Sequence, residues 1–247
     1  MSRSVCFFMT YHGRPKLTKM SIDHMADTAR LFNENGIEAT CLVVGASRPI
    51  ELFCEDQGIH HEWFENDPVS DKFTFVWLRA IQKRTDYLCW MGSNNVHGAG
   101  YWVKAMDVIK GDKVATFGSR NCVIMSADKG KDETCVFRPT LGYLISSGQF
   151  FLRYSLVNSM NLLTIYDEDQ TFNFDGKVLD AMTNKWGTDI IQYVEYDEED
   201  CIDVKDNTNI HSYKSYMKMS HYPRYESSLD IAPRHPRLMM MFKGFYD

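Results

Sequence analysis

The first 91 residues of the sequence alternate apolar runs of strand length with helical patterns, and this alternation limits the fold more than any other feature. The apolar runs occupy residues 4–10, 38–45, 59–64 and 87–91. The segment between the first two runs carries apolar residues spaced three, four and three apart, namely Ile22, Met25, Ala29 and Phe32. This spacing is typical of one face of a helix. Consecutive strand–helix–strand units predict a parallel sheet with helices on both faces.

Later segments extend the pattern with further helices and strands. In all, we predict helices over residues 17–35, 50–57, 71–84, 101–109, 148–157 and 175–186. We predict additional short strands over residues 114–117, 122–125, 141–145 and 190–196. The length of 247 residues suits one large domain. The predicted fold is therefore α/β, with a mostly parallel sheet, helices on both of its faces and a small antiparallel part.

Composition argues against several classes of protein. The net charge is −6, so overall charge does not indicate a nucleic-acid binder, although a local basic surface is compatible with it. The seven cysteines form no C-x-x-C pair and several lie in apolar runs, which favours free thiols in a reducing cytosol. No apolar stretch approaches the ~18 residues of a membrane span, and no P-loop, G-x-G-x-x-G or H-E-x-x-H motif occurs. We therefore expect a soluble, cytoplasmic protein with no membrane partner.

Short polar motifs follow or flank the predicted strands in a fixed order. They are residues 10–15 (TYHGRP), 68–73 (PVSDKF), 92–95 (GSNN), 142–146 (GYLIS) and 167–170 (DEDQ). In this order, over residues 4–212, the chain resembles GT-A glycosyltransferases, especially small bacterial and viral members whose corresponding strand ends in Gly-Ser-Asp-Asp. The resemblance implies a Rossmann-like GT-A fold. It also implies a hexosyl- or pentosyltransferase that uses a nucleotide-sugar, with a UDP-sugar as the expected donor.

The resemblance further implies a donor site at the C-terminal ends of the parallel strands, where ligands bind in sheets of this kind. Its expected residues are Thr10, Tyr11, His12, Arg14, Lys72, Ser93, Asn94 and Asn95. Arg14 and Lys72 would supply positive charge for a diphosphate, and Lys72 lies near a helix N-terminus that itself attracts anions. Taken alone, the same residues also fit a Gly-Pro turn with a surface arginine and a helix capped by Asp71.

The need for a metal ion is a separate question, because Asn94 and Asn95 stand where most GT-A enzymes have acidic residues that bind Mn²⁺ or Mg²⁺. An amide oxygen carries no charge, so these residues should bind a hard divalent cation weakly. Three alternatives follow. Asn95 binds a metal with help from the diphosphate and His211, or lysine and arginine replace the metal, or the protein has lost its activity.

Two acidic residues are the candidate catalytic groups. The resemblance places an acceptor-side acidic loop at residues 167–170, before the predicted helix over residues 175–186. Asp169, or else Glu168, is the expected general base that deprotonates the acceptor hydroxyl. Acidic residues before a helix are also a common solvated feature, and this alternative stays open.

The C-terminal segment, residues 213–247, interleaves cations with tyrosines and is expected to pack on a catalytic domain formed by residues 1–212. Lys214, Lys218 and Arg224 suit a phosphate backbone, and the neighbouring tyrosines suit stacking on bases. DNA is therefore an expected partner. The first-ranked acceptor is a hydroxymethylated base in viral (phage) DNA, which would place the protein in the host cytoplasm.

Other functions remain alternatives. A glycan, a lipid-linked sugar or a protein can replace DNA as the acceptor. A GT-A-like binding module without activity is the alternative of a different class, and the amides of Asn94 and Asn95 motivate it. A nucleotidyltransferase of the same fold type is disfavoured, because residues 11–15 contain one glycine rather than a Gly-rich loop.

Overall fold

The computed structural model describes residues 2–111, 122–126, 133–137, 150–161, 165–166, 174–187, 201–205 and 224–227. The strands are β1 (Arg3–Thr10), β2 (Ile37–Val44), β3 (His60–Glu62), β4 (Tyr87–Trp90), β5 (Asn95–His97), β6 (Cys122–Ser126), β7 (Glu133–Phe137), β8 (Phe150–Arg153), β9 (Cys201–Lys205) and β10 (Arg224–Ser227). The helices are α1 (Pro15–Glu34), α2 (Arg48–Asp56), α3 (Val69–Gln82), α4 (Ala99–Lys110), α5 (Tyr154–Val157) and α6 (Phe174–Trp186).

The first sheet has the strand order β3-β2-β1-β4-β8. Strands β1 to β4 are parallel, and β8 is antiparallel to β4. From β1 the chain moves outward to β2 and β3, and then returns to the other side of β1 as β4. The strand order therefore reverses between β1 and β4. In open sheets of this kind, a ligand crevice lies outside the C-terminal ends of the two strands at the reversal.

The second sheet has the order β10-β7-β6-β9-β5 and is antiparallel except between β6 and β9. The turn after β4 carries the chain from the first sheet into this one. In that turn Asn94 Nδ2 donates to the Val204 carbonyl at 3.0 Å, and the Val204 N–H donates to the Asn94 carbonyl at 2.8 Å. Asn94 thus acts as a two-point connection between the sheets.

Helices cover both faces of the first sheet, because alternate side chains of each strand point to opposite sides. On one face Phe7 contacts Phe32 of α1 and Trp102 of α4 edge-on, with ring centroids 5.1 and 5.9 Å apart. On the other face Phe8 contacts Trp77 of α3, with centroids 4.6 Å apart. Two buried apolar clusters result, one with α1, α2 and α4 and the other with α3, α5 and α6.

The predicted α/β fold, with its mostly parallel sheet, helices on both faces and an antiparallel part, is confirmed. The antiparallel part is a second five-stranded sheet and is larger than expected. The predicted helix over residues 148–157 is wrong at residues 150–153. These residues form β8, because their backbone pairs antiparallel with β4, with Leu152 opposite Leu88. Only Tyr154–Val157 is helical.

Smaller differences concern the ends of elements. Asn95, expected in the turn, is the first residue of β5. Helix α3 begins at Val69 after a cis Asp67–Pro68 peptide, so Asp71 lies in its first turn rather than at the N-cap. The predicted strands over residues 114–117, 141–145 and 190–196 lie outside the described residues.

The C-terminal segment is described only at residues 224–227, where β10 pairs with β7. The predicted domain boundary at residue 212 lies outside the described residues and stays a prediction. Among the helices that the structure describes, none is long and apolar enough to cross a membrane. Cys6, Cys41, Cys54 and Cys89 are free thiols.

Candidate functional site

Arg14 crosses the gap between β1 and β4. Its Nη2 donates to Ser93 Oγ at 2.9 Å, which joins the loop after β1 to the turn after β4. Gly13 and Arg14 both have left-handed backbones, with φ of 59° and 46°. Glycine adopts this conformation freely, but for another L-residue it costs about 1–2 kcal/mol. The protein thus keeps an arginine where its own backbone disfavours one, and such outliers occur preferentially at functional sites.

The turn that carries Ser93 depends on a glycine. A Cβ atom on Gly92 would overlap Asn95 Oδ1, so the Asn95 amide lies directly against the Gly92 backbone. The Asn95 N–H also donates to the Gly92 carbonyl at 3.4 Å, and the residue is 5% exposed. The local structure fixes Ser93 at the edge of the crevice, while Asn95 is buried beneath it.

Lys72 brings a second cation close to Arg14 and is itself 2% exposed. It extends from the first turn of α3, and its Nζ donates to the Tyr11 carbonyl at 2.7 Å and to Asn66 Oδ1. Burial, and then the nearby Arg14 charge, lower the pKa of Lys72 to about 8. The positive end of the α3 dipole adds to this potential. Two cations and a helix N-terminus therefore create a positive region at the crevice.

Tyr11 is fixed at both its backbone and its side chain. Besides the bond from Lys72 to its carbonyl, its N–H donates to the Val44 carbonyl at 3.2 Å, and its phenol oxygen lies 3.1 Å from His61 Nε2. A Cβ on Gly45 would come within 2.5 Å of the Tyr11 ring, so the ring packs closely on that backbone. Burial raises the pKa of Tyr11 and lowers the pKa of His61, so both are neutral near pH 7.

The structure brings four of the predicted donor-site residues into a chain of direct contacts. Lys72 bonds to Tyr11, the loop continues to Arg14, and Arg14 bonds to Ser93. Thr10 is buried at the end of β1, opposite Val44, and His12 is exposed in the loop. Asn94 and Asn95 lie beside Ser93 but hold the turn, as described above.

Several predicted residues are not placed in this site. Those outside the described residues are Glu168, Asp169, His211, Lys214 and Lys218. Arg224 is the first residue of β10, opposite Val136. Conversely, sequence reasoning assigned no role to Asn66, His61, Gly45 and Gly92. Only the two glycines, each within two residues of a strand end, gave a sequence signal.

The described part of the site does not fit a divalent cation. It contains no group of three His, Cys, Asp or Glu side chains able to hold a metal. Asn94 Nδ2 donates to Val204, Asn95 Oδ1 packs against Gly92, and two cations lie close by. These groups favour an anion. The prediction that Asn95 and His211 hold Mn²⁺ or Mg²⁺ stays a prediction, because His211 lies outside the described residues.

Comparison with known proteins gives only distant similarities. No model of a known protein family and no curated protein matches the sequence. Among solved structures, the chain is similar to CMP:2-keto-3-deoxy-manno-octonic acid synthetase complexed with CTP. That match has 12% identity and a TM-score of 0.47, and covers 88% of this chain and 96% of that chain.

Glucosyl-3-phosphoglycerate synthase from Mycobacterium tuberculosis, complexed with Mn²⁺, UDP-glucose and phosphoglyceric acid, is also similar. It matches at 11% identity and a TM-score of 0.46, over 78% of this chain and 69% of that chain. A mycobacterial protein matches at 12% identity and a TM-score of 0.46, over 78% and 65% of the two chains. Similarity at this level assigns no activity to the chain.

Substitution of Arg14 should reveal the backbone conformation that the site maintains. Arg14→Gly relieves the left-handed conformation, whereas Arg14→Ala retains it, and both remove the guanidinium. We expect Arg14→Gly to exceed Arg14→Ala in unfolding free energy by about 1 kcal/mol in urea titrations. Arg84 is a matched control, exposed and with a φ of 54°, and its two variants should show the same order. Equal stability of the two Arg14 variants would contradict the assigned conformation.

Lys72→Met should stabilise the protein in the absence of ligand. The pKa of Lys72 is lowered from 10.5 to about 8, which corresponds to about 3 kcal/mol of unfavourable free energy at neutral pH. Loss of two hydrogen bonds offsets part of the gain, so we expect the variant to be about 1–2 kcal/mol more stable at pH 7.

The pH dependence of this effect follows from the same shift. Between about pH 8 and 10.5 the unfolded chain retains a proton on Lys72 that the folded protein has released. Wild-type stability therefore rises with pH across this window, relative to a variant without the lysine. The stability difference between Lys72→Met and wild type should shrink from pH 8 to pH 10.5. A constant difference in denaturant titrations would contradict the lowered pKa.

Proposed function

We propose that this protein is a glycosyltransferase that binds the diphosphate of a nucleotide-sugar, a UDP-sugar in the first instance, between β1 and β4. The observation that carries the proposal is the Arg14–Ser93 bond across the strand-order reversal, with the buried Lys72 beside it. This is the position at which open α/β sheets bind ligands, and its charge selects an anion.

The chemistry of a diphosphate fits these groups. A guanidinium offers paired donors that match phosphate oxygens, and charged hydrogen bonds of this type are about twice as strong as neutral ones. Cleavage of the sugar–phosphate bond leaves negative charge on the released nucleoside diphosphate. Preorganised cations that stabilise this charge lower the barrier without moving during the reaction. Arg14, with Lys72 beside it, would act in this way, and Ser93 would orient the guanidinium.

The transferred group in this proposal is a hexose or a pentose, and the acceptor is a hydroxyl. Asp169, with Glu168 as the alternative, would accept the hydroxyl proton as general base. The preferred acceptor is a hydroxymethylated base of viral DNA, in the host cytoplasm. It is supported by the basic and aromatic composition of residues 213–247, which includes Lys214, Lys218 and Arg224.

A nucleotide-binding module without transferase activity is the second candidate. The specific observation in its favour is that Asn94 and Asn95 both have structural roles in the turn. The described residues therefore supply no metal site, and a divalent ion at Asn95 and His211 remains part of the glycosyltransferase proposal only.

Donor binding can be measured by calorimetry with UDP. We expect Arg14→Ala and Lys72→Ala each to weaken binding by about tenfold to a hundredfold, because each removes a cation near the diphosphate. The affinity should also fall as the pH rises through about 8, where Lys72 loses its proton. Arg84→Ala removes an exposed arginine outside the crevice and should have no effect. Unchanged affinity in both site variants would rule out this pocket.

Transfer can be measured by mass spectrometry of candidate acceptors incubated with mixed UDP-sugars, with Mn²⁺ or with EDTA. We expect a hexose or pentose mass on hydroxymethylated DNA and none on the unmodified duplex. Asp169→Asn should lower turnover at least ~100-fold with little change in UDP affinity, because it removes the general base. UDP binding without transfer to DNA, glycan or protein acceptors would favour the binding module.

A further inference from the structure

We propose that His61 is a positioning residue of the anion site, which acts through its hydrogen bond to Tyr11 to hold the loop that presents Lys72 and Arg14 to the ligand. The identity of the ligand rests on the proposed function above. The contacts between His61, Tyr11 and Lys72 do not depend on that function, so they can be tested separately.

The first part of the argument is the contact between β3 and β1. His61 lies on the edge strand β3, and its Nε2 is 3.1 Å from the Tyr11 phenol oxygen. Between the two, the Tyr11 ring packs on Gly45, where no side chain fits. The tyrosine ring is thus held by packing beneath it and by polar contacts of its phenol, one with the backbone of Ser47 and one with His61. His61 supplies the side-chain contact.

The second part is the route from Tyr11 to the cations. The Tyr11 carbonyl accepts a hydrogen bond from Lys72 Nζ at 2.7 Å, so a shift of Tyr11 changes the surroundings of the lysine. Arg14 follows three residues later, at the N-cap of α1, and its carbonyl accepts from the Thr18 N–H at 2.9 Å. The loop is therefore fixed by Tyr11 on one side and by α1 on the other.

The third part is the chemistry of the contact. Burial is the largest cause that lowers the pKa of His61, and the charge of His60 adds to it; Glu51, Glu55 and Glu62 oppose the shift. The imidazole is therefore neutral at pH 7, with one ring nitrogen that donates and one that accepts, and in either tautomer its Nε2 can share a hydrogen bond with the Tyr11 phenol. A glutamine amide can donate or accept in the same place, whereas an alanine can do neither. This difference separates the role of the hydrogen bond from that of the strand.

The test measures the titration of the Lys72 amine by NMR of lysine-labelled protein, with the signal assigned by its absence in Lys72→Met. Wild type should titrate near 8. In His61→Ala the released loop should admit water, and the Lys72 pKa should rise by at least one unit, toward its ordinary value. His61→Gln should keep the wild-type value. His60→Ala, which alters the residue before His61 in β3 and removes its contact with Glu62, should also keep the wild-type pKa of Lys72.

UDP affinity is the second readout. At pH 7 His61→Ala should weaken UDP binding about three- to tenfold, as expected for the loss of one hydrogen bond, and His61→Gln should restore it. At pH 9 the difference in UDP affinity between wild type and His61→Ala should narrow, because Lys72 stays charged in His61→Ala but is mostly neutral in wild type. Tyr11→Phe should reproduce both the weaker UDP binding at pH 7 and the narrower difference at pH 9. A variant that carries both His61→Ala and Tyr11→Phe should bind UDP no more weakly than either single variant.

The outcomes separate the two proposals. A Lys72 titration unchanged in folded His61→Ala, or in Tyr11→Phe if the alanine variant fails to fold, would overturn the role of His61. Failure of His61→Gln to restore the wild-type titration would overturn it as well. If wild type binds no UDP, the proposed function fails, but the Lys72 titration still decides the role of His61.

Discussion

The hydrogen bond from Arg14 to Ser93 links the two loops on which the crevice depends. Topology places these loops together, because the strand order reverses between β1 and β4. Local backbone chemistry then decides what each loop presents. Left-handed residues after β1 turn the guanidinium across the gap, and Gly92 after β4 lets Asn95 pack beneath Ser93. The fold supplies the position of the site, and the side chains of Arg14 and Lys72 supply its charge.

The same features destabilise the folded protein when no anion is bound in the site. Lys72 is buried, its pKa is lowered by burial and by Arg14, and Arg14 has a backbone conformation that favours glycine. Proteins retain such arrangements where function opposes stability. A bound anion would remove the repulsion between the two cations. In this view the unfavourable free energy of the empty site is what makes the site selective for negative charge.

The extent to which the sequence predicted the structure follows a physical division. Strands β1 to β4 and their helices were predicted, because each buries a continuous apolar face that local periodicity reveals. Placement of Tyr11, Arg14, Lys72 and Ser93 near one edge followed from that topology. The role of His61 was not predictable, since its contact with Tyr11 spans 50 residues and has no local signal. Strand β8 was mistaken for helix because only its pairing with β4, also long-range, distinguishes the two.

The structure also explains why position 94 carries an amide. Asn94 Nδ2 donates to the Val204 carbonyl, and the Val204 N–H donates back to the Asn94 carbonyl, at the junction of the two sheets. A carboxylate at position 94 would have no hydrogen to donate and would face the Val204 carbonyl oxygen, with two acceptors in contact. The junction therefore requires an amide, and a residue committed to it cannot also serve as a charged metal ligand. Neutralisation of a bound diphosphate would then fall to Arg14 and Lys72, which is where the structure concentrates positive charge.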